Sequence, residues 1–90
     1  MDIIQKLKNA ADLQDEPTPG QPLVELYGQN RVVIEHHGGV VGYAKDLISI
    51  RVKYGRIRVC GAELSLTRMT REQLIISGKI DCIQLERKVQ

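Results

Sequence analysis

The 90-residue chain lacks Trp and Phe, and its aromatic residues are limited to three Tyr. It has only two Cys, and it has no run of about 18 apolar residues that could form a membrane-spanning helix. Two Cys cannot build a disulfide framework or a four-ligand zinc site by themselves, so reduced thiols are expected. The N-terminus does not show the pattern of a standard secretion signal either. These absences predict a cytoplasmic protein without a span of its own.

Because large aromatic residues are scarce, aliphatic side chains must fill the core. Val and Ile dominate the middle of the chain, and β-branched residues pack well on a pleated sheet while they lose rotamer freedom in helices. A chain of this size supports one hydrophobic core and buries only roughly 60 to 65 % of its unfolded surface. The composition therefore predicts a single β domain to which partner or subunit contacts add stability.

The first 21 residues differ from the rest of the chain. Residues 2–13 carry apolar side chains at helical spacing, and Pro and Gly residues follow them. This pattern predicts a short amphipathic helix or a disordered leader, then a linker, with a single β domain over residues 22–90. Packing on the domain is favoured over a membrane-surface helix, because the segment has few cations and no large aromatic anchor.

After Pro22 the chain consists of short apolar or alternating runs separated by turn signals. Eight segments are strand candidates: PLVELY, NRVVIEHH, VVGYA, DLISIRVK, RIRVC, ELSLTRM, QLIIS and KIDCIQLE. No segment between them is long enough for a crossover helix, so the chain is predicted to be an all-β antiparallel meander that forms a sandwich or flattened barrel. A parallel β-roll is the alternative, because GRI at 55–57 and GKI at 78–80 resemble a repeat.

Three two-residue turns are predicted in the second half. A turn at Tyr54 and Gly55 would pair Lys53 with Arg56, Val52 with Ile57, Arg51 with Arg58 and Ile50 with Val59. Further turns are expected at 61–62 and 77–78. The last segment carries apolar groups on both faces, which is typical of a strand buried on both sides or lying at a subunit contact.

The predicted central hairpin has one aliphatic face and one cationic face. The cationic face consists of Arg51, Lys53, Arg56 and Arg58. Like charges opposite each other are destabilising, so either water with nearby acids such as Glu35, Asp46 and Glu63 or an anionic partner must offset them.

The charge is divided unevenly, because residues 1–30 carry −3 and residues 31–90 carry +5. Such an asymmetry can indicate an anionic partner, and a mixed solvated surface explains it equally well. Nucleic-acid binding is the alternative function, but it is not favoured because only Tyr54 could act as a stacking platform near the cationic face.

Glu35, His36, His37 and Gly39 form a predicted hairpin tip. Adjacent His residues on a strand point to opposite faces and cannot chelate one ion together. Glu35 and His37 share a face, and a metal site there would need a Cys as third ligand; a hydrogen-bonded surface pair is favoured instead. The sequence lacks a P-loop, GxGxxG and GxSxG motif. Neither catalytic activity nor a metal or cofactor is therefore predicted.

The ordered series of motifs resembles the YabP/YqfC family of sporulation proteins, and it is more similar to the YqfC branch. The family pattern has Ile-Glu-Asn-His and a turn Gly, then an Ile or Val strand, then two Gly that flank two alternate hydrophobic residues, then Gly-x-Ile. These positions are held here by Ile34, Glu35, His36, His37 and Gly39, by Gly55, Ile57, Val59 and Gly61, and by Gly78 and Ile80. The resemblance covers roughly residues 22–86. His36 replaces the usual Asn, and Gly38 replaces a common basic residue.

The resemblance implies a non-enzymatic protein made in the mother cell during endospore formation. It suggests a membrane-associated, YqfD-like sporulation protein as partner. An aliphatic sheet with one charged face and no ligand cluster agrees with an assembly or docking module, in the cytoplasm or peripherally at the forespore membrane. This module is expected to bind an acidic surface of the partner through Arg51, Lys53, Arg56 and Arg58. A homo-oligomer formed through the last strand is a further expectation.

Overall fold

The computed structural model describes residues 20–88, which form six β-strands and no helix. The strands are β1 (Leu23–Tyr27), β2 (Arg31–Glu35), β3 (Val40–Tyr43), β4 (Leu47–Val52), β5 (Gly55–Met69) and β6 (Gln73–Arg87). The predicted amphipathic helix or leader lies outside the described residues.

All strand pairs are antiparallel, in the order β1-β2-β6-β5-β4-β3. The all-β antiparallel prediction is confirmed, and the parallel β-roll is not observed. From β3 to β6 the chain is a meander in which each strand pairs with the next. The hairpin of β1 and β2 then joins the sheet on the other side, because β2 pairs with β6.

The long strands β5 and β6 belong to two halves of the sheet. Within β5, only residues 55–60 pair with β4. Within β6, only residues 73–77 pair with β2. Buried side chains from both halves form one aliphatic cluster: Val32, Ile34, Ile48, Ile50, Val52, Ile57, Val59, Leu64, Leu74 and Ile76. The two halves of the open six-stranded sheet therefore share a single core, in agreement with the predicted flattened architecture.

Two of the predicted turns are wrong, because Gly61 and Gly78 lie inside continuous strands. The eight predicted strands thus merge into six, and residues 70–72 make the turn between β5 and β6. A Cβ atom on Gly61 would overlap the carbonyl oxygen of Lys79, and one on Gly78 would lie 2.6 Å from that of Glu63. These glycines permit close backbone approach at the register shifts where the hairpin is irregular.

The central hairpin has the predicted faces but a different register. Its turn is at Lys53 and Tyr54, so Val52 pairs with Gly55 and Arg51 pairs with Arg56. The pairing is shifted by two residues from the prediction, and a shift of two leaves every side chain on its expected face. Tyr54 adopts a left-handed backbone with φ of 72°, which allows the turn one residue earlier.

The segment between β2 and β3 is a crossover and not a hairpin turn. Strand β2 pairs with β1 and β6, whereas β3 pairs with β4. The Gly38 N–H donates to the Arg51 carbonyl oxygen at 2.6 Å, and the Arg51 N–H donates to the Gly39 carbonyl oxygen at 2.8 Å. The predicted hairpin tip is therefore a link between the two halves of the sheet. The two consecutive Gly residues favoured the prediction of a tight turn. The turn does not form because β2 pairs with β6 and β3 pairs with β4.

Candidate docking surface

A basic surface lies around the turn between β4 and β5. Arg51 and Arg56 are cross-strand partners beside this turn, and both are exposed. Strand β6 completes the platform, because Glu86 lies opposite Arg56 and Gln84 lies opposite Arg58. The surface therefore stands on three paired strands, whose backbone hydrogen bonds fix the spacing of its side chains.

Glu86 provides the negative charge on this surface. Its carboxylate lies 3.9 Å from Arg56 Nε and 3.5 Å from Arg58 Nη1. The three side chains are about half exposed, so each ion pair contributes at most about 1 kcal/mol. The acids considered from the sequence were Glu35, Asp46 and Glu63. The acid that contacts these arginines is instead on the last strand, which the predicted register did not bring next to β5.

Lys53 is turned away from the other three predicted cations. Its Nζ lies 5.2 Å from the centre of the Tyr54 ring, and its aliphatic stem lies beside Gly20. It lines a small cavity with Pro22 and Leu85. The structure thus places Arg51 opposite Arg56 and brings Arg56 and Arg58 to Glu86. It places Lys53 at the border of a neighbouring, more apolar area.

The end of β6 adds two cations that the sequence analysis did not select. Arg87 and Lys88 line a shallow cleft together with Arg51, Arg56 and Tyr54. The Lys88 N–H donates to the Tyr54 carbonyl oxygen at 2.7 Å, which ties the strand end to the turn. We call the surface formed by Arg51, Arg56, Arg58, Arg87 and Lys88 the basic cleft. The charged run ERK at 86–88 is the sequence feature that could have indicated these two additional cations.

The predicted pair of Glu35 and His37 does not form; each side chain has another partner. Gln73 Nε2 donates to the Glu35 carboxylate at 3.4 Å. The Gly39 N–H donates to His37 Nδ1 at 3.0 Å, so Nε2 carries the ring proton and donates to the Thr70 carbonyl oxygen at 2.8 Å. His37 therefore connects the crossover to the turn between β5 and β6, which is a structural role.

Within residues 20–88, no group of three or more His, Cys, Asp or Glu side chains is arranged to hold a metal ion. In the same range, no helix is long and apolar enough to cross a membrane.

The family model that matches this chain is described as the YabP family, and it matches residues 20–90. The chain belongs to the YabP family. This family is associated with sporulation, and the match covers all the strands described above. Placement in the YqfC branch stays a prediction. Comparison with curated proteins and with solved structures found no match.

The backbone explains the residue type expected at position 36 of a YabP-family chain. His36 is exposed and has φ of 62°, and Asn and His are among the few side chains that tolerate this conformation. We expect His36→Asn to leave the free energy of unfolding within about 0.5 kcal/mol of wild type, and His36→Val to lower it by roughly 1 to 2 kcal/mol. Urea unfolding followed by circular dichroism measures both values. Equal stability of the two variants would contradict this explanation.

Proposed function

We propose that this chain is a non-catalytic assembly or docking module that acts in the mother cell during endospore formation. In this proposal the basic cleft binds an acidic surface of a membrane-associated sporulation protein. The observation that carries the proposal is the direct pairing of Arg51 with Arg56 on an exposed face. Family membership supports the link to sporulation.

The pairing of two arginines costs stability, so it calls for a compensating interaction. Like charges directly opposite each other are destabilising by up to roughly 1 kcal/mol. Glu86 contacts Arg56 and Arg58, while the Arg51 side chain makes no ion pair with any residue between 20 and 88. A carboxylate supplied by a partner would fit between Arg51 and Arg56 and relieve the repulsion.

Arginine suits this role because its guanidinium group donates two parallel hydrogen bonds to one carboxylate. The backbone of paired strands is already ordered, so binding there costs less conformational entropy than binding to a loop, which favours affinity. Arg87 and Lys88 enlarge the positive surface and would also favour attachment beside an anionic membrane. A membrane-associated, YqfD-like partner agrees with both features.

The proposal is tested with a triple variant, Arg51→Gln, Arg56→Gln and Arg58→Gln, in the spore-forming host deleted for the gene. The expected result is a loss of heat-resistant spores by at least about tenfold, and release of the protein from the membrane fraction of sporulating cells. The free-energy loss of a desolvated charged pair, roughly 2 to 5 kcal/mol, would be enough for this effect. Heat-resistant colonies and immunoblots of fractionated cells provide the two measurements.

The matched control is Arg68→Gln with Arg71→Gln, which removes exposed cations at the other end of β5. This control should sporulate and fractionate as wild type does. Normal spore counts and normal membrane recovery with the triple variant would overturn the docking proposal. If the deletion itself leaves spore counts unchanged, the proposed sporulation role is wrong.

The predicted homo-oligomer would use the end of β6, where Ile83 is partly buried and Leu85 is 72 % exposed. Light scattering of the purified chain measures its mass in solution. A monomer at every concentration would remove this part of the proposal.

Nucleic-acid binding by the basic cleft is the alternative, and the exposed Tyr54 ring in the cleft is the feature that favours it. Binding of this kind falls steeply as salt is raised. Absence of a gel shift with single-stranded DNA or RNA at low salt would eliminate it.

A further inference from the structure

The two cysteines of the chain are direct partners across β5 and β6, although 21 residues separate them in sequence. Cys60 pairs with Cys82 in the antiparallel register. Such partners have Cα atoms about 4.5 to 5.5 Å apart, within the range that a disulfide requires. The predicted turns at 61–62 and 77–78 concealed this pairing, because they placed the two residues on strands that were not neighbours.

The two thiols differ in exposure. Cys82 is exposed, whereas Cys60 is half-buried. A hydrogen bond with Cys82 and burial raise the pKa of Cys60, although the nearby Arg58 opposes this shift. Cys82 is therefore the sulfur that solvent-borne reagents reach first.

We propose that Cys60 and Cys82 form a redox-active dithiol that low-molecular-weight disulfides oxidise to an intramolecular disulfide. Cys82 is the attacking cysteine and Cys60 the resolving one. This inference goes beyond the proposed docking function and does not depend on it.

The reaction has two thiol–disulfide exchange steps. The Cys82 thiolate attacks one sulfur of the small disulfide, forms a mixed disulfide and releases one thiolate. Cys60 then gives its proton to the released thiolate and attacks the Cys82 sulfur, which expels the second thiolate. The two cysteines are oxidised, the small disulfide is reduced to two thiols, and the reverse reaction with excess thiol restores the dithiol.

The position of the pair determines what oxidation would change. Cys60 immediately precedes the register shift at Gly61, where the long hairpin is irregular. It also follows the basic cleft by two residues on β5, on the same side as Arg58. A covalent link here would fasten β5 to β6 beside the cleft. We expect it to raise the Tm of the domain by roughly 10 °C, because it restricts the unfolded chain.

The experiment exposes the reduced full chain to oxidised glutathione and follows its intact mass without reductant. The wild type should lose two hydrogen atoms and keep no glutathione. Cys60→Ser should accumulate one glutathione on Cys82, because its resolving thiol is missing. Cys82→Ser should form its adduct at least about tenfold more slowly, since Cys60 is less exposed than Cys82.

Thermal unfolding of oxidised and reduced wild type provides the second measurement, and the Ser variants should show no such difference. Retention of glutathione on both cysteines of the wild type would overturn the proposal. A disulfide formed only between two chains, visible on a non-reducing gel, would also overturn it.

Discussion

Gly61→Ala is expected to lower the free energy of unfolding by at least about 3 kcal/mol, a large share of the roughly 5 to 15 kcal/mol that stabilises a domain. The added methyl group would overlap the Lys79 carbonyl oxygen on β6. This oxygen belongs to the backbone and cannot rotate away as a side chain would. The two strands would have to separate where the Gly61 N–H also donates to the Asp46 carbonyl oxygen at 3.0 Å.

Gly42→Ala is the matched control for this substitution. A Cβ atom at Gly42 would lie 3.5 Å from the Cβ atom of Ser49, which is an ordinary van der Waals contact. Its stability should change by no more than about 1 kcal/mol. Urea unfolding monitored by far-ultraviolet circular dichroism compares the two variants. Similar losses in both would show that close approach of β5 and β6 is not what requires Gly61.

Leu74→Ala should lower the free energy of unfolding by roughly 2 to 5 kcal/mol, because Leu74 is fully buried in the shared core. It lies on the half of β6 that pairs with β2. The loss includes the transfer free energy of the removed atoms and the cavity that remains in an aliphatic core.

Leu85→Ala, on the same strand, is the matched control, because it makes the same substitution at an exposed position. Leu85 is 72 % exposed, so its truncation should change stability by less than about 1 kcal/mol. Both variants are compared with wild type by thermal and urea unfolding. A loss at Leu85 as large as the loss at Leu74 would mean that another part of the protein, or a second copy, covers the end of β6 in solution.

Like these two predictions, the proposed docking surface depends on the long hairpin of β5 and β6. Strands β5 and β6 extend beyond the regions that pair with β2 and β4, and this extension brings Glu86, Arg87 and Lys88 beside the turn at Tyr54. The basic cleft is therefore built on the long hairpin and not on the β4–β5 hairpin alone. A change that weakens the hairpin should also disturb the cleft.

Local alternation in the sequence was sufficient to predict the faces of β4 and β5. Ile50 and Ile57 are buried while Arg51 and Arg56 are exposed, as predicted. The pairing register was wrong by two residues, but the faces are unaffected because side chains alternate with a period of two. The all-β class followed from the same period together with the β-branched composition.

The structural roles of the glycines could not be predicted from the sequence. Gly61 and Gly78 were predicted to form turns, and the two Gly residues after His37 were predicted to close a hairpin. In the structure, Gly61 and Gly78 allow two strands to approach closely, and Gly38 and Gly39 connect two halves of the sheet. A glycine permits all these conformations, so only its long-range neighbours distinguish them.

The sequence by itself thus determined the β class, the aliphatic core, the cationic face and the family resemblance. These properties depend on composition, on alternation along single strands and on motif order. The tertiary structure decided which strands are neighbours, and with them the pairing of Cys60 with Cys82, the contact of Glu86 with two arginines and the separation of Lys53. Those contacts join residues that are distant in sequence. They form because the two halves of the sheet bury their aliphatic side chains in one shared core.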